Sequence, residues 1–252
     1  LTITRHKKTK LDGSANLLLY AYGSYGASMG PGFSSSRLSL INRNIIWVTC
    51  HVRGGLERGM RWWREGKMLN KKNTFKDYIS SAKFLIEKKY TSKGKVIGMG
   101  GSAGGLLMGA VVNEFPDLFL GIIMAVPFVD TLTTNLDHSL PLTVSEFNEF
   151  GNAKENKEHF DYIRSYSPYE NIKKMNYPHI FITTSLSDNR VLFDEPTKFT
   201  AKLRDNKTDN NLLLLKTEMK AGHAGKTGRD SAIKEIALDY SFALKISDKL
   251  NS

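Results

Sequence analysis

The chain has a single cysteine, Cys50, so no internal disulfide can form and the fold must be held by packing. A lone cysteine also favours a reducing compartment, and a cytoplasmic location is the expectation. Cys50 falls in the apolar run 45–52, where a small core hydrophobe is the simpler reading than a reactive thiol. Long apolar runs are missing: nothing approaches the ~20 residues of a transmembrane helix. The opening Leu1-Thr2-Ile3-Thr4-Arg5 lacks the apolar core of a signal peptide, so no membrane partner is expected. Basic runs are missing too. The formal net charge is +11, from 36 Lys and Arg against 25 Asp and Glu, yet the cations are scattered as pairs such as Lys7-Lys8, Lys71-Lys72, Lys88-Lys89 and Lys173-Lys174. With no run of five basic residues and no zinc-finger or RNP signature, the charge reads as a solvated surface and not as a nucleic-acid footprint. Internal repeats and low-complexity linkers are also absent. The 252 residues are enough to bury a substantial core, and one domain over 1–252 is expected.

What is present alternates. Six short, nearly continuous apolar runs, 17–22, 45–52, 96–99, 121–126, 179–184 and 212–216, read as strands of a mostly parallel sheet covered on both faces. Helical spacing separates several of them. Over 74–89, Phe75, Tyr78, Ile79, Ala82, Leu85 and Ile86 share a face, Asn73 or Thr74 can cap, and Asp77 suits the first turn. Further helices are expected after residue 102, over 195–204, and as an amphipathic segment over 233–250. Strands alternating with helices give the α/β class with crossover connections. Residues 128–175 break the alternation and read as a partly helical excursion above the sheet edge, where such folds build specificity.

Residues 98–105 read Gly98-Met99-Gly100-Gly101-Ser102-Ala103-Gly104-Gly105 between a strand run and a helix run. Gly-x-Ser-x-Gly in that setting is a nucleophile elbow, a turn so tight that glycine must flank the serine. The alternatives are a glycine turn for close packing or a phosphate cradle, and no Gly-Lys-Ser/Thr closes such a cradle. A serine nucleophile needs a base, and the base an orienting acid. His223, in Ala221-Gly222-His223-Ala224-Gly225, follows the last strand, whereas His51 and His179 sit in or at strands and read as structural. Asp188 follows the run 179–184. The order Ser102, Asp188, His223 is that of an α/β-hydrolase; Asp194 and Glu195 read as part of the next helix. The Ala103 amide is one oxyanion donor. The second could be the hydroxyl of Tyr22, which is otherwise an ordinary strand-end aromatic.

These residues, with the blocks Tyr22-Gly23-Ser24-Tyr25-Gly26-Ala27-Ser28, His51-Val52-Arg53-Gly54-Gly55, Lys71-Lys72-Asn73-Thr74-Phe75, Val126-Pro127-Phe128-Val129-Asp130 and Ser165-Tyr166-Ser167-Pro168-Tyr169, resemble the catalytic domain of the prolyl oligopeptidase family of serine peptidases, most closely its oligopeptidase B branch. The resemblance covers nearly the whole chain. It implies an α/β-hydrolase fold, hydrolysis of short peptides by Ser102, Asp188 and His223, an oxyanion hole of Tyr22 and Ala103, and no cofactor or metal. It also implies cleavage after Lys or Arg, which requires carboxylates in the P1 pocket to pair the cation. Of the two acids expected in the segment 145–150, Glu146 is kept and Asn148 replaces the second; Glu149 is expected to point elsewhere. Tyr25 and Arg190 are the other substrate-binding residues implied, with a surface salt bridge as the alternative for Arg190. Two aspartates of the bacterial branch, associated with a basic P2 residue, are Gly30 and Gly32 here, so a preference for paired basic residues is expected to weaken. The family's N-terminal β-propeller has no counterpart in 1–252, and the start at Leu1 reads as a split or truncated member. A peptide substrate and a separately encoded propeller are the partners expected. An inactive remnant, an esterase of the same fold and a basic interaction module are the competing readings.

Overall fold

Strands β1 (Thr2–Thr4), β2 (Asn16–Tyr20), β3 (Ile45–Thr49), β4 (Val96–Gly101), β5 (Phe119–Ala125), β6 (His179–Ser185) and β7 (Leu213–Glu218) pair into one sheet in the computed structural model, which describes residues 1–248. The order is β1-β3-β2-β4-β5-β6-β7, and every pairing is parallel except that of β1 with β3. The helices are α1 (Leu38–Ile41), α2 (Met60–Arg64), α3 (Lys72–Glu87), α4 (Ala103–Glu114), α5 (Thr131–Leu136), α6 (Phe147–Phe150), α7 (Lys157–Arg164), α8 (Asp194–Asn206) and α9 (Arg229–Ile246).

The continuous apolar strands are explained by what covers them. Successive side chains point to opposite faces, so Leu17, Leu19, Ile46 and Val48 join a core with α3, α4 and α8, while Leu18, Ile45, Trp47, Ile97 and Ile123 join a second core with α1 and α9. Both faces are therefore buried, as expected of a parallel sheet fed by crossover helices.

Several boundaries differ from expectation, each for a local reason. Strand β1 has no counterpart among the expected strands: its three residues carry no apolar run, and it exists because Thr2–Thr4 lies antiparallel along β3. The expected strands 17–22 and 45–52 end early, at Tyr20 and Thr49, which releases Tyr22 and His51 into loops. Helix α3 starts at Lys72, so Asn73 and Thr74 do not cap it. Their side chains reach outward, Asn73 Nδ2 to the Glu65 carbonyl and Thr74 Oγ1 to the Arg53 carbonyl. Asp77 instead binds Arg53, accepting from its backbone N (2.9 Å), Nε (2.8 Å) and a terminal guanidinium nitrogen (2.6 Å). Helix α9 begins four residues before the expected 233 and buries Tyr240, Phe242, Ala243 and Leu244 only, leaving Ile233, Ile236 and Leu238 exposed. Residues 249–250 of that expected helix lie outside the described residues. The excursion 128–175 holds α5, α6 and α7.

Leu19, with no exposed surface in the interior strand β2, supplies a direct check on the core. Leu19→Ala lowers the unfolding free energy by about 2–5 kcal/mol in urea titration, whereas Leu214→Ser on the exposed edge of β7 changes it by less than about 0.5 kcal/mol.

Candidate active site

Strand β4 ends at Gly101 and α4 begins at Ala103, so the whole reversal falls on Ser102, whose φ of 52° and ψ of −121° are unusual for a residue with a side chain. The conformation is held on both sides. Ser102 N donates to the Ala125 carbonyl at 2.8 Å, and the Ser102 carbonyl accepts from Gly105 N at 2.8 Å and Phe128 N at 3.0 Å. Glycine is required on either side: a Cβ at Gly100 would strike the Gly104 carbonyl, and one at Gly104 would lie 2.9 Å from the Ala21 carbonyl. Ala103 heads α4, where the first N–H groups have no acceptor within the helix and face the end favourable to negative charge.

Asp188 stands just beyond β6 and is buried. Its Oδ1 accepts from the backbone N–H of Arg190 (2.9 Å) and Val191 (3.0 Å), which leaves Oδ2 for His223 Nδ1 at 2.8 Å. Since the carboxylate accepts, the imidazole proton sits on Nδ1 and Nε2 is left to act as a base. Among the described residues no hydrogen bond joins His223 to Ser102. His223 belongs to the loop after β7, where Gly225 N closes a turn onto the Gly222 carbonyl.

The loop after β2 carries Tyr22, which lines the same cavity as Ser102. Burial raises the Tyr22 phenol above its ordinary value, with the nearby Ser102 hydroxyl opposing, so the hydroxyl keeps its proton. Tyr25 adopts a φ of 57° and donates from its hydroxyl to Glu146 Oε1 at 2.6 Å. Burial, reinforced by the neighbouring charge of Glu149, pushes the Glu146 carboxyl up, with the Tyr25 bond opposing. Tyr22, Tyr25, Ser102, Phe128, Leu142, Glu146, Arg190 and Val191 line one cavity of about 280 Å³. Five of the expected site residues, Ser102, Tyr22, Tyr25, Glu146 and Arg190, therefore line this cavity, with Ala103 next to Ser102; Asp188 is bonded to the Arg190 and Val191 backbone, while its partner His223 lines a separate cavity of about 200 Å³. Asn148 is exposed on α6 and does not line it.

Phe128, Leu142 and Val191 line the cavity without having been singled out; their only signal is position, directly after β5, within the excursion, and directly after Asp188. Glu195 holds that excursion down. It is buried at the start of α8, accepts from Val129 N (3.1 Å), Asp130 N (3.0 Å) and the Thr134 hydroxyl (2.6 Å), and burial pushes it up to about 8.

The other titratable candidates have structural partners. Cys50 is buried beside Ser81 Oγ, and burial pushes its thiol up to about 12. His51 Nε2 bonds Thr2 Oγ1 at 2.8 Å, and His179 Nδ1 accepts from Leu212 N at 2.9 Å. Among the described residues there is no group of three or more His, Cys, Asp or Glu placed to hold a metal ion, and no helix is long and apolar enough to cross a membrane. A larger groove of about 680 Å³ between α3, α4 and the segment 165–173 contains none of the expected site residues.

Known proteins share this arrangement of chain. The family model described as the prolyl oligopeptidase family matches residues 31–249. Protease 2 of Moraxella lacunata is 52% identical over 239 residues, covering 95% of this chain and 34% of that protein. Dipeptidyl aminopeptidase BI of Pseudoxanthomonas mexicana is 46% identical, covering 97% of this chain and 34% of its own length. The solved structure of oligopeptidase B from Leishmania major superimposes with a TM-score of 0.96 at 42% identity, over 98% of this chain and 34% of that one. That likeness makes the sheet and its helices an α/β-hydrolase fold. The chain thus spans about a third of the length of the curated relatives it matches.

The elbow makes its own prediction. Gly100→Ala drives a Cβ into the Gly104 backbone and lowers stability by about 1–3 kcal/mol. Gly30→Ala, where an added Cβ meets nothing within 4 Å, is near neutral in the same urea titration.

Proposed function

Because this chain belongs to the prolyl oligopeptidase family, we propose that it is a serine peptidase domain hydrolysing short peptides after a Lys or Arg residue by way of an acyl-enzyme. One observation carries the reading: Ser102, held in a strained turn at the head of α4, shares one cavity with the Tyr22 phenol and with Glu146.

Ser102 Oγ attacks the scissile carbonyl while His223 Nε2 takes its proton and then delivers it to the leaving amine. Asp188 holds the imidazole tautomer and stabilises the imidazolium through the 2.8 Å bond. The proton transfer requires the 221–225 loop to bring Nε2 within reach of Ser102, a tightening that ligand-free enzymes commonly complete when substrate binds. Charge developing on the carbonyl oxygen is received by the Ala103 N–H and the Tyr22 hydroxyl. Each such donor supplies about 3–4 kcal/mol of transition-state stabilisation. The P1 cation pairs with the Glu146 oxygen not engaged by Tyr25, and Arg190, free of any ion pair among the described residues, reaches the substrate backbone. Asn148 brings no charge, and Gly30 and Gly32 offer no carboxylate to a P2 cation, so selectivity rests on one acid and one basic residue. The substrate reaches this site in the cytoplasm, and a β-propeller domain outside residues 1–252 is the part that would screen it by size.

A fluorophosphonate probe labels the folded chain and fails to label Ser102→Ala; an unlabelled folded chain overturns the serine mechanism and leaves the inactive remnant. Turnover of arginyl esters without arginyl amides would favour the esterase. The preference for Arg over a neutral P1 residue depends on the Glu146 carboxylate, whose folded pKa is raised. Selectivity is therefore full above that pKa and is lost as pH falls through it. Glu146→Gln removes both the preference and its pH dependence, and a variant that keeps them shows that another group selects P1.

A further inference from the structure

Lys71 is the least expected side chain under the site. It is 1% exposed, yet it is a lysine. Its Nζ donates to the Gly23 carbonyl at 2.7 Å and to Ser24 Oγ at 2.6 Å, lies 4.0 Å from Glu149 Oε1, and sits 5.5 Å from the centre of the Phe150 ring. Glu149 is buried as well, and both its oxygens are used: Oε1 accepts from Tyr25 N at 2.8 Å, Oε2 from Trp63 Nε1 at 2.9 Å. Burial pulls the Lys71 ammonium down to about 8, against the attraction of Glu149.

All of these bonds converge on residues 23–25, the turn that follows Tyr22. That turn is unfavourable by itself. Gly23, Tyr25 and Gly26 all have positive φ, and for Tyr25 this costs about 1–2 kcal/mol. The carbonyl of Gly23 leaves no room for a Cβ at Gly54. The same turn carries the Tyr25 hydroxyl to Glu146. A buried ion pair is a weak source of stability, because desolvation offsets its attraction; what it supplies is a definite geometry for the groups that satisfy it. Two ammonium hydrogen bonds fix a carbonyl and a hydroxyl while the charge faces a carboxylate 4.0 Å away, an arrangement no apolar side chain can make.

We propose that Lys71, with Glu149, is a positioning residue of the reaction: the buried pair locks the Gly23–Tyr25 turn so that the Tyr22 hydroxyl faces the oxyanion. The inference rests on the serine peptidase reading above. Lys71 acts on the chemistry only through Tyr22.

A double-mutant cycle on this chain with a chromogenic arginyl ester tests it. Tyr22→Phe lowers kcat by about 100-fold. Lys71→Met lowers kcat by about tenfold or more with KM little changed, because a misplaced donor harms the transition state and not ground-state binding. In the Tyr22→Phe background the same Lys71→Met change costs less than roughly twofold, since the group it positions is gone. Equal losses in both backgrounds overturn the positioning role and leave the peptidase reading intact. An unchanged kcat in Tyr22→Phe overturns the oxyanion assignment, and the role of Lys71 with it. Should Lys71→Met fail to fold, Ser24→Ala removes one acceptor of the ammonium while keeping the charge pair. It lowers kcat at constant KM only when Tyr22 is present, and a loss independent of Tyr22, or no loss, contradicts the inference.

Discussion

The backbone of Ser102 is the constraint on which the site depends. A residue with a side chain is held at φ 52° by hydrogen bonds to β5 on one side and to Gly105 and Phe128 on the other. Residues so held cost of order 1–3 kcal/mol and persist only where their surroundings over-determine them. Here the surroundings are the sheet itself. The Gly104 backbone lies so near Ala21 and Tyr22 that the residues just after β2 are brought against the head of α4. On the proposed reading, the tight turn therefore presents the nucleophile and sets the distance between the two oxyanion donors in the same stroke.

A second set of constraints lies underneath, and it is polar. Lys71, Glu149, Asp188 and Glu195 are all buried charged residues, and each fastens a loop that carries site residues: the Tyr22 turn, α6 with Glu146, the Asp188–Val191 segment and the start of the excursion at Phe128. Loops at the C-terminal ends of parallel strands have no sheet ladder to order them. Buried carboxyl groups that accept one or two backbone N–H groups and a further side-chain donor do this work instead, and each must be satisfied because an unpaired buried polar group is far costlier than the bonds it makes.

The parts of this fold that obey a short-range period were legible in the sequence. The six apolar runs are β2 to β7, the elbow at Ser102 falls between strand and helix, and Asp188 and His223 follow β6 and β7 in the order read from the chain. What was not legible depends on tertiary partners. Strand β1 has three residues and no apolar pattern, and only its neighbour β3 makes it a strand. Asn73, Thr74 and Asp77 have the chemistry of a helix start but are spent on Glu65, Arg53 and the loop between them. Lys71 reads as one of several surface lysine pairs, since nothing in the local sequence distinguishes a lysine that meets Gly23 and Ser24 across the fold. Glu149 was expected to point away from substrate, and it does, into that same network. The failures share one cause: a polar side chain announces its type in the sequence but not its partner.

The account holds that Ser102, Tyr22 and Ala103 surround one point where an oxyanion forms. A crystal structure of the chain after reaction with a peptidyl phosphonate measures that point directly. The account predicts phosphorus bonded to Ser102 Oγ and the phosphonyl oxygen within about 2.7–3.1 Å of both the Tyr22 hydroxyl and the Ala103 nitrogen. An adduct whose phosphonyl oxygen turns away from Tyr22, or phosphorus on any other residue, contradicts it.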